Sequence, residues 1–236
     1  NDSFKVVIGK LPSANDPVDK TDLEASIAEG DKVATDKAVT LADETKVPVT
    51  ADDQAALDKA LKAAKDVDQK SDATPEEVAQ AKKDLDDVLN SIKDKANQAS
   101  AQPTDVQVTK NAEGKPAVTG KAPAGSTVEV KDKDGNVIGT TTADENGNFT
   151  MEVPADKTAD LAVTAQEPGK KASEAVNAVD KTGLENSIAE GDKVATDKAV
   201  TLADGTKVPV TAADQDALDK ALEAAKNVDQ NASATP

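Results

Sequence analysis

The stretch VDKTDLEASIAEGDKVATDKAVTLADETKVPVTADDQAALDKALKAAKDVDQKSDATP, residues 18–75, occurs twice in this chain. It returns at residues 179–236 as VDKTGLENSIAEGDKVATDKAVTLADGTKVPVTAADQDALDKALEAAKNVDQNASATP, with ten differences in 58 positions. A long, nearly identical repeat is typical of a modular array, in which one unit is copied to add length or binding valency. The chain is therefore organised as copies of a module, and no reactive group stands out in it.

Composition excludes most site chemistry. The 236 residues contain no Cys, His, Trp or Tyr, and Phe4 and Phe149 are the only aromatic residues. Disulfides, thiolate or imidazole metal sites and His-based catalysis are therefore excluded. The net charge is −17, which repels nucleic acid, and no run approaches the roughly 20 apolar residues of a membrane span. We expect no enzymatic activity, no cofactor, no nucleic acid partner and no membrane insertion in this fragment.

Three helix starts follow one another in residues 18–96. Each has a capping pattern: Thr21 with Glu24, Thr50 with Asp53, and Thr74 with Pro75 and Glu77. Apolar residues then recur every three or four positions, which predicts amphipathic helices. Each helix can bury its stripe on the other two, so the segment predicts a three-helix bundle with a thin, Ala-rich core. Residues 36–49 lose the helical period and predict a small hairpin or ordered loop.

These helices carry the motifs of a known module. The segments DKTDLEASI, TADDQAALDKALKAAKDV and DATPEEVAQAKKDLDDVLNSI together resemble the FIVAR module. That module is a three-helix unit repeated in cell-wall and secreted proteins of Gram-positive bacteria. The resemblance covers residues 18–96 and, in part, 179–236. The family often carries a Trp just before its second helix, where this chain has Val49 and Val210.

After Pro103 the hydrophobic period changes from that of helices to that of strands. Six short segments rich in Val and Thr, separated by turn residues, predict an antiparallel β-sandwich over residues 104–168. Its predicted inward face comprises Val128, Val130, Val137, Ile138, Phe149, Met151, Val153, Leu161 and Val163. The run GKAPAGSTVEVKDKDGNVIGTTTADENGNFTMEVP, residues 120–154, is similar to bacterial Ig-like domains of surface proteins.

The fold class predicted for the whole chain is multidomain, with three-helix modules alternating with an Ig-like sandwich. The predicted parts are residues 1–17 (tail of a preceding module and its linker), 18–96 (first FIVAR-like module), 97–103 (linker), 104–168 (sandwich), 169–178 (linker) and 179–236 (second FIVAR-like module). The second module stops before its third helix. We therefore expect residues 181–236 to be the least stable region.

Two turns of the sandwich concentrate oxygen-rich side chains: DKDGN at 132–136 and DENGN at 144–148. Asp and Asn at alternate positions are typical of calcium loops, but the Glu that closes an EF-hand loop is missing. Because tight hairpins require the same residues, we interpret both as turns, with a weak Ca²⁺ site as the alternative. Adjacent carboxylates such as Asp86 and Asp87 are interpreted as a solvated helix face. No catalytic, cofactor-binding or metal-binding residue is predicted.

Two functions fit a non-enzymatic repeat region of a bacterial cell-surface adhesin, extracellular and anchored to the cell wall in the full-length protein. In the first, the modules form an elongated stalk or spacer, a monomeric rod. In the second, the helical modules bind a host extracellular-matrix protein or glycan. Copied modules fit both, because copying lengthens a stalk and multiplies weak sites. Scarce aromatic residues favour the spacer, whereas an exposed apolar patch at Val47 and Val49 would favour the binder.

Overall fold

The computed structural model describes residues 17–232, and the chain divides into two compact units, Asn1–Ala96 and Asn97–Pro236. Both units mix helices with β-structure. The predicted tail of residues 1–17 lies almost entirely outside the described residues, and so do the last four residues of the second repeat. Among the helices found between residues 17 and 232, none combines the length and the apolar character that crossing a membrane requires.

Three helices and a hairpin make up the described part of the first unit. They are α1 (Thr21–Asp36), β1 (Ala38–Thr40), β2 (Lys46–Pro48), α2 (Ala51–Gln69) and α3 (Pro75–Asn97). The two strands pair antiparallel within the segment that interrupts the helical period. The positions of the helices and of the hairpin confirm the predictions from capping residues and hydrophobic spacing.

Local hydrogen bonds explain where two of these helices begin. The Thr74 hydroxyl accepts from the Glu77 N–H at 3.1 Å, and the Glu77 carboxylate accepts from the Thr74 N–H at 2.9 Å, so the predicted capping box is formed. The predicted box at Thr21 is wrong. No side chain caps α1 in this way, because the Asp19 carboxylate, two residues earlier, accepts from the Thr21 N–H at 2.9 Å.

One apolar cluster holds the first unit together. Leu23 of α1, Leu57 of α2 and Leu85 of α3 are fully buried in it, and the hairpin contributes Val39 and Val47. Several of the other buried members are alanines. All three helices and the hairpin therefore contribute residues to one small-residue core.

Eight strands form two four-stranded sheets in the second unit. They are β3 (Thr104–Lys110), β4 (Pro116–Lys121), β5 (Thr127–Lys131), β6 (Val137–Thr142), β7 (Asn148–Glu152), β8 (Ala162–Gln166), β9 (Val176–Asn177) and β10 (Val179–Asp180). The sheet orders are β10-β3-β4-β7 and β6-β5-β8-β9. All pairs are antiparallel except β10 with β3. The apolar side chains of both sheets meet in one core, so strands β3 to β10 form the sandwich.

The structure differs from the sequence prediction at two places in the sandwich. Val137 is 53% exposed, although the sequence predicts that both Val137 and Ile138 face inward. Successive strand residues point to opposite faces, and Ile138 is the one that packs on the core. The predicted linker 169–178 contains β9, because Val176 pairs with Val163 of β8 and packs on the same core.

The second repeat folds like the start of the first. It contains α4 (Thr182–Asp197), β11 (Ala199–Thr201), β12 (Lys207–Pro209) and α5 (Ala212–Gln230). The hairpin has the same register as β1–β2, and the Thr211 hydroxyl caps α5 by accepting from the Asp214 N–H at 3.1 Å. Identical local sequence thus produces identical local structure in both repeats.

Candidate functional site

The adjacent carboxylates of α3 are paired with cations. Asp87 pairs with Lys83 at 2.5 Å on an exposed surface. Asp86 accepts hydrogen bonds from Lys82 and, at 2.7 Å, from the Ser26 hydroxyl of α1. Burial by itself raises the pKa of Asp86, but these hydrogen bonds outweigh it and the pKa is lowered. The interpretation as a solvated helix face fits Asp87, whereas Asp86 is half-buried and links α3 to α1 through Ser26.

The Asp132 carboxylate organises the DKDGN turn. Its Oδ1 accepts from the N–H groups of Asp134 at 3.0 Å and Asn136 at 2.9 Å, and Lys157 lies 3.2 Å from Oδ2. The N–H of Asn136 lowers the pKa of Asp132 most, burial opposes it and Lys157 adds to the lowering, so the pKa is about 2. The side chain is therefore ionised at neutral pH and holds its own turn.

The DENGN turn uses the same device without a cation. Asp144 Oδ1 accepts from the N–H groups of Asn146 at 2.9 Å and Asn148 at 2.8 Å. These bonds confirm that both segments are Asx-type hairpin turns. In the part of the chain from residue 17 to residue 232, no three acidic side chains are grouped closely enough to hold a metal ion.

The two hairpins differ in exposure although their sequences are almost the same. In the first repeat Val47 is 1% exposed and Val39 is 5% exposed, and Val49 is half-buried. In the second repeat the counterparts, Val208 and Val200, are 45% and 41% exposed. The first repeat therefore lacks the exposed patch at Val47 and Val49 that would favour a binding module. The described part of the second repeat has no counterpart of α3.

The sandwich is connected to the second repeat by hydrogen bonds from β3 and by one buried lysine. We call this set of residues the joint. The Lys110 N–H donates to the Glu185 carboxylate at 3.1 Å, and the Lys110 ammonium donates to Asn186. Burial raises the pKa of Glu185, although the Lys110 N–H opposes this. Lys181 is 3% exposed, and its N–H donates to the Val108 carbonyl at 2.9 Å.

A comparison with protein families identifies the sandwich of the second unit. Residues 93–181 match the family model of the bacterial Ig domain. The matched segment is a bacterial Ig-like domain. Bacterial Ig domains are typical of extracellular proteins, and the match indicates a region of a surface protein. The comparison with curated proteins finds no match for the chain.

The match extends the Ig-like domain beyond the predicted residues 104–168 at both ends. The structure gives the physical reason. Ser100, in the predicted linker 97–103, is buried, accepts from the Glu167 N–H at 2.8 Å and donates to the Lys171 carbonyl at 2.7 Å. At the other end β10 pairs with β3. Both predicted linkers thus contribute backbone or side chains to the Ig-like domain.

The joint was missed in the sequence, although the repeat carried a signal for it. Of the ten differences between the repeats, two lie four residues or fewer from the start of α4: Gly183 replaces Asp22, and Asn186 replaces Ala25. Asn186 is the residue that accepts from Lys110 of the Ig-like domain. The other eight differences lie elsewhere in the repeat, so the signal is the single change at the contact residue Asn186, which fits a contact that only one copy makes.

Proposed function

We propose that this chain is a non-enzymatic repeat region of a bacterial cell-surface adhesin and acts as an elongated stalk or spacer. The full-length protein is then extracellular and anchored to a Gram-positive cell wall. The Ig-like domain supports the surface assignment, and the near-identical repeats support a role in which module number sets length. The helical repeats are FIVAR-type three-helix modules in this proposal, supported by the capping box at Thr74 and the shared core of α1, α2 and α3.

One observation carries the spacer proposal: a single residue separates the Ig-like domain from the second helical repeat. β10 ends at Asp180 and α4 begins at Thr182. Lys181 lies between them, and its ammonium donates to the carbonyls of Asp229 and Asn231, both at 2.7 Å. Its N–H is bonded to β3 of the sandwich. A joint with no flexible segment holds direction from one module to the next, which is what a spacer requires.

The alternative, that the helical modules bind a host matrix protein or glycan, has weaker support. It needs an exposed apolar patch on the hairpin, but Val47 of the first repeat is buried. The hairpin of the second repeat is exposed, but residues 179–232 contain no third helix that could cover it. Aromatic residues, which dominate most binding hot spots, number two in the whole chain.

Small-angle X-ray scattering tests the spacer proposal. A compact globule of this length has a radius of gyration of about 18 Å. We expect a radius well above that value at physiological salt, falling only slightly as salt screens the like charges. The double variant Gly183→Asp, Asn186→Ala is the matched control, because it restores the first-repeat residues and removes the bond between Lys110 and Asn186. We expect this variant to have a broader distribution of interatomic distances, since its joint is held by fewer bonds. A radius near 18 Å for the unchanged chain would contradict the proposal.

A further inference from the structure

The joint between the Ig-like domain and the second repeat places a partly buried carboxylate near another carboxylate. Burial is the main cause that raises the pKa of Glu185 on α4, the Lys110 N–H opposes it, and the like charge of Asp229 on α5 raises the pKa further. Glu185 is half-buried, whereas its copy in the first repeat, Glu24, is exposed. The same residue of the module therefore has a different environment where the sandwich contacts it.

This end of the helical module has the same geometry in both repeats. The Lys20 ammonium donates to the carbonyls of Asp68 and Lys70, and its copy Lys181 makes the same two bonds in the second repeat. The first repeat contains α3, and the described residues of the second repeat contain no counterpart of it. The different environment of Glu185 therefore comes from the Ig-like domain and not from a third helix.

The charged groups around Glu185 have other partners. The Lys181 ammonium donates to two backbone carbonyls at the end of α5, and the Lys110 ammonium donates to an asparagine side chain. Asp180, at the end of β10, accepts from the Thr182 hydroxyl at 2.6 Å. The Glu185 carboxylate accepts from the Lys110 N–H, which lies 3.2 Å and 3.1 Å from its two oxygens. Its negative charge is thus held by a backbone N–H and not by an ammonium group.

The same region is short of hydrogen-bond donors. Oδ1 of Asp229 is buried, and no group between residues 17 and 232 donates to it. Oε1 of Gln107, on the strand that β10 pairs with, is buried without a donor as well. A buried acceptor without a donor destabilises the contact that buries it. A proton on Glu185 supplies one donor and removes the repulsion between the two carboxylates.

We propose that the joint is a pH-sensitive contact, which takes up one proton at the Glu185 carboxyl and then holds the second repeat more firmly on the Ig-like domain. The protonated carboxyl donates to Asp229 Oδ1, while its other oxygen still accepts from the Lys110 N–H. This assignment concerns the docking of the two parts and does not depend on the spacer function.

The direction of the pH dependence follows from linkage. The pKa of Glu185 is raised in the docked state, so proton uptake favours docking. The added stabilisation is fully present below the usual glutamate pKa of about 4.3 and is lost as the pH rises through the raised pKa. Mild acid should therefore tighten the joint.

Hydrogen exchange at the joint tests the proposal in the full 236-residue chain. The reporter is the Lys181 amide, which donates to the Val108 carbonyl at 2.9 Å. After correction for the intrinsic pH dependence of exchange, its protection should rise at least about twofold between pH 7 and about pH 5. In the same titration, ¹³C NMR of the Glu185 carboxyl carbon should give a midpoint above about 4.3.

Neutral variants of the same shape provide the matched controls. Glu185→Gln keeps an acceptor for the Lys110 N–H and adds a donor without a charge. It should show at pH 7 the protection that the unchanged chain reaches at about pH 5, with no further rise in acid. Asp229→Asn removes the repulsion and should also weaken the pH dependence. Glu24→Gln, the same change in the first repeat, should leave the protection of the Lys181 amide and its pH dependence unchanged.

Four results would overturn the proposal. The first is protection in the unchanged chain that does not depend on pH, and the second is a Glu185 midpoint at or below about 4.3. The third is a full acid response in Glu185→Gln, which means that another group takes up the proton. The fourth is an equal rise in protection when millimolar Ca²⁺ is added at pH 7, which means that a cation and not a proton fills the gap between the carboxylates.

Discussion

At the scale of single residues, Gly30 shows how a helix-weakening residue serves tertiary packing. A Cβ at this position would lie 2.7 Å from Cδ2 of Leu61 on α2 and 3.4 Å from Cδ1 of Leu85 on α3. Its copy, Gly191, would place a Cβ 2.7 Å from Cδ2 of Leu222. The glycine therefore lets the two helices approach, in both repeats, at the expense of helix propensity.

The matched pair Gly30→Ala and Gly191→Ala separates these two effects. Alanine gains about 1 kcal/mol of helix propensity, whereas overpacking a closed core costs roughly 1–3 kcal/mol. In the first repeat Leu61 is enclosed, so we expect Gly30→Ala to lower the free energy of unfolding by about 1 kcal/mol. In the second repeat no described residue stands in the place of Leu85, although Leu222 is itself buried, so Gly191→Ala should cost less than Gly30→Ala. Denaturant unfolding followed by hydrogen exchange measures both, and equal losses would contradict the argument.

The lowered pKa of Asp132 predicts how the stability of the Ig-like domain changes at acid pH. Its pKa in the folded state, about 2, lies below that of a free carboxyl, so ionised Asp132 stabilises the fold above about pH 4. That stabilisation is lost as the pH falls from about 4 to about 2. We expect Asp132→Ala to lower the melting temperature at pH 7 and to flatten its decline at acid pH.

Asp144→Ala is the control for this prediction, because Asp144 holds the equivalent turn without a lysine. Its loss should lower the melting temperature less than the loss of Asp132. Millimolar Ca²⁺ should leave both profiles unchanged if the carboxylates serve only their turns. A parallel acid decline in the Asp132→Ala variant would contradict the assigned role.

At the scale of elements, α2 and α5 are nearly identical helices in different surroundings. In the first repeat α3 packs on the same core as α2, whereas the described residues of the second repeat contain no counterpart of α3. Leu57 of α2 is fully buried, whereas its copy Leu218 on α5 is only half-buried. Each apolar side chain left partly exposed forgoes roughly 1 kcal/mol of stabilisation. We therefore expect amides of α5 to exchange at least tenfold faster than those of α2, since about 1.4 kcal/mol corresponds to a factor of ten. Equal exchange rates of the two helices in isotope-labelled chain would contradict this prediction.

At the scale of the whole molecule, the joint decides whether the Ig-like domain and the second repeat move together. Replacing Glu185 with Ala removes the acceptor for the Lys110 N–H. We expect the rotational correlation times of the sandwich and of α4–α5, measured by ¹⁵N relaxation, to be equal in the unchanged chain and to separate in the variant. Glu24→Ala, the same change in the first repeat, should leave the two times equal. A variant that still tumbles as one body would show that Lys181 alone is sufficient.

Features with partners a few residues away could be predicted from the sequence. The capping box joins Thr74 to Glu77, and the turn joins Asp132 to Asn136, so each is contained in one short segment. The amphipathic stripes of the helices and the alternation of the strands are local in the same sense. The prediction at Thr21 is wrong for an equally local reason. The Asp19 carboxylate, and not that of Glu24, accepts from the Thr21 N–H.

Contacts between segments that lie far apart in the chain were decided by tertiary structure. Val47 and Val208 have the same neighbours in sequence and the same hairpin register, yet one is 1% exposed and the other 45%. The difference lies in what packs opposite them, because α3 follows α2 in the first repeat and the described residues of the second repeat contain no counterpart of α3. The strand β10 and the buried Lys181 likewise depend on β3, which lies about seventy residues earlier in the chain. The sequence by itself therefore determined the modules and their local geometry, whereas only the fold determined which residues of the predicted linkers belong to the Ig-like domain and which module is hydrogen-bonded to the next.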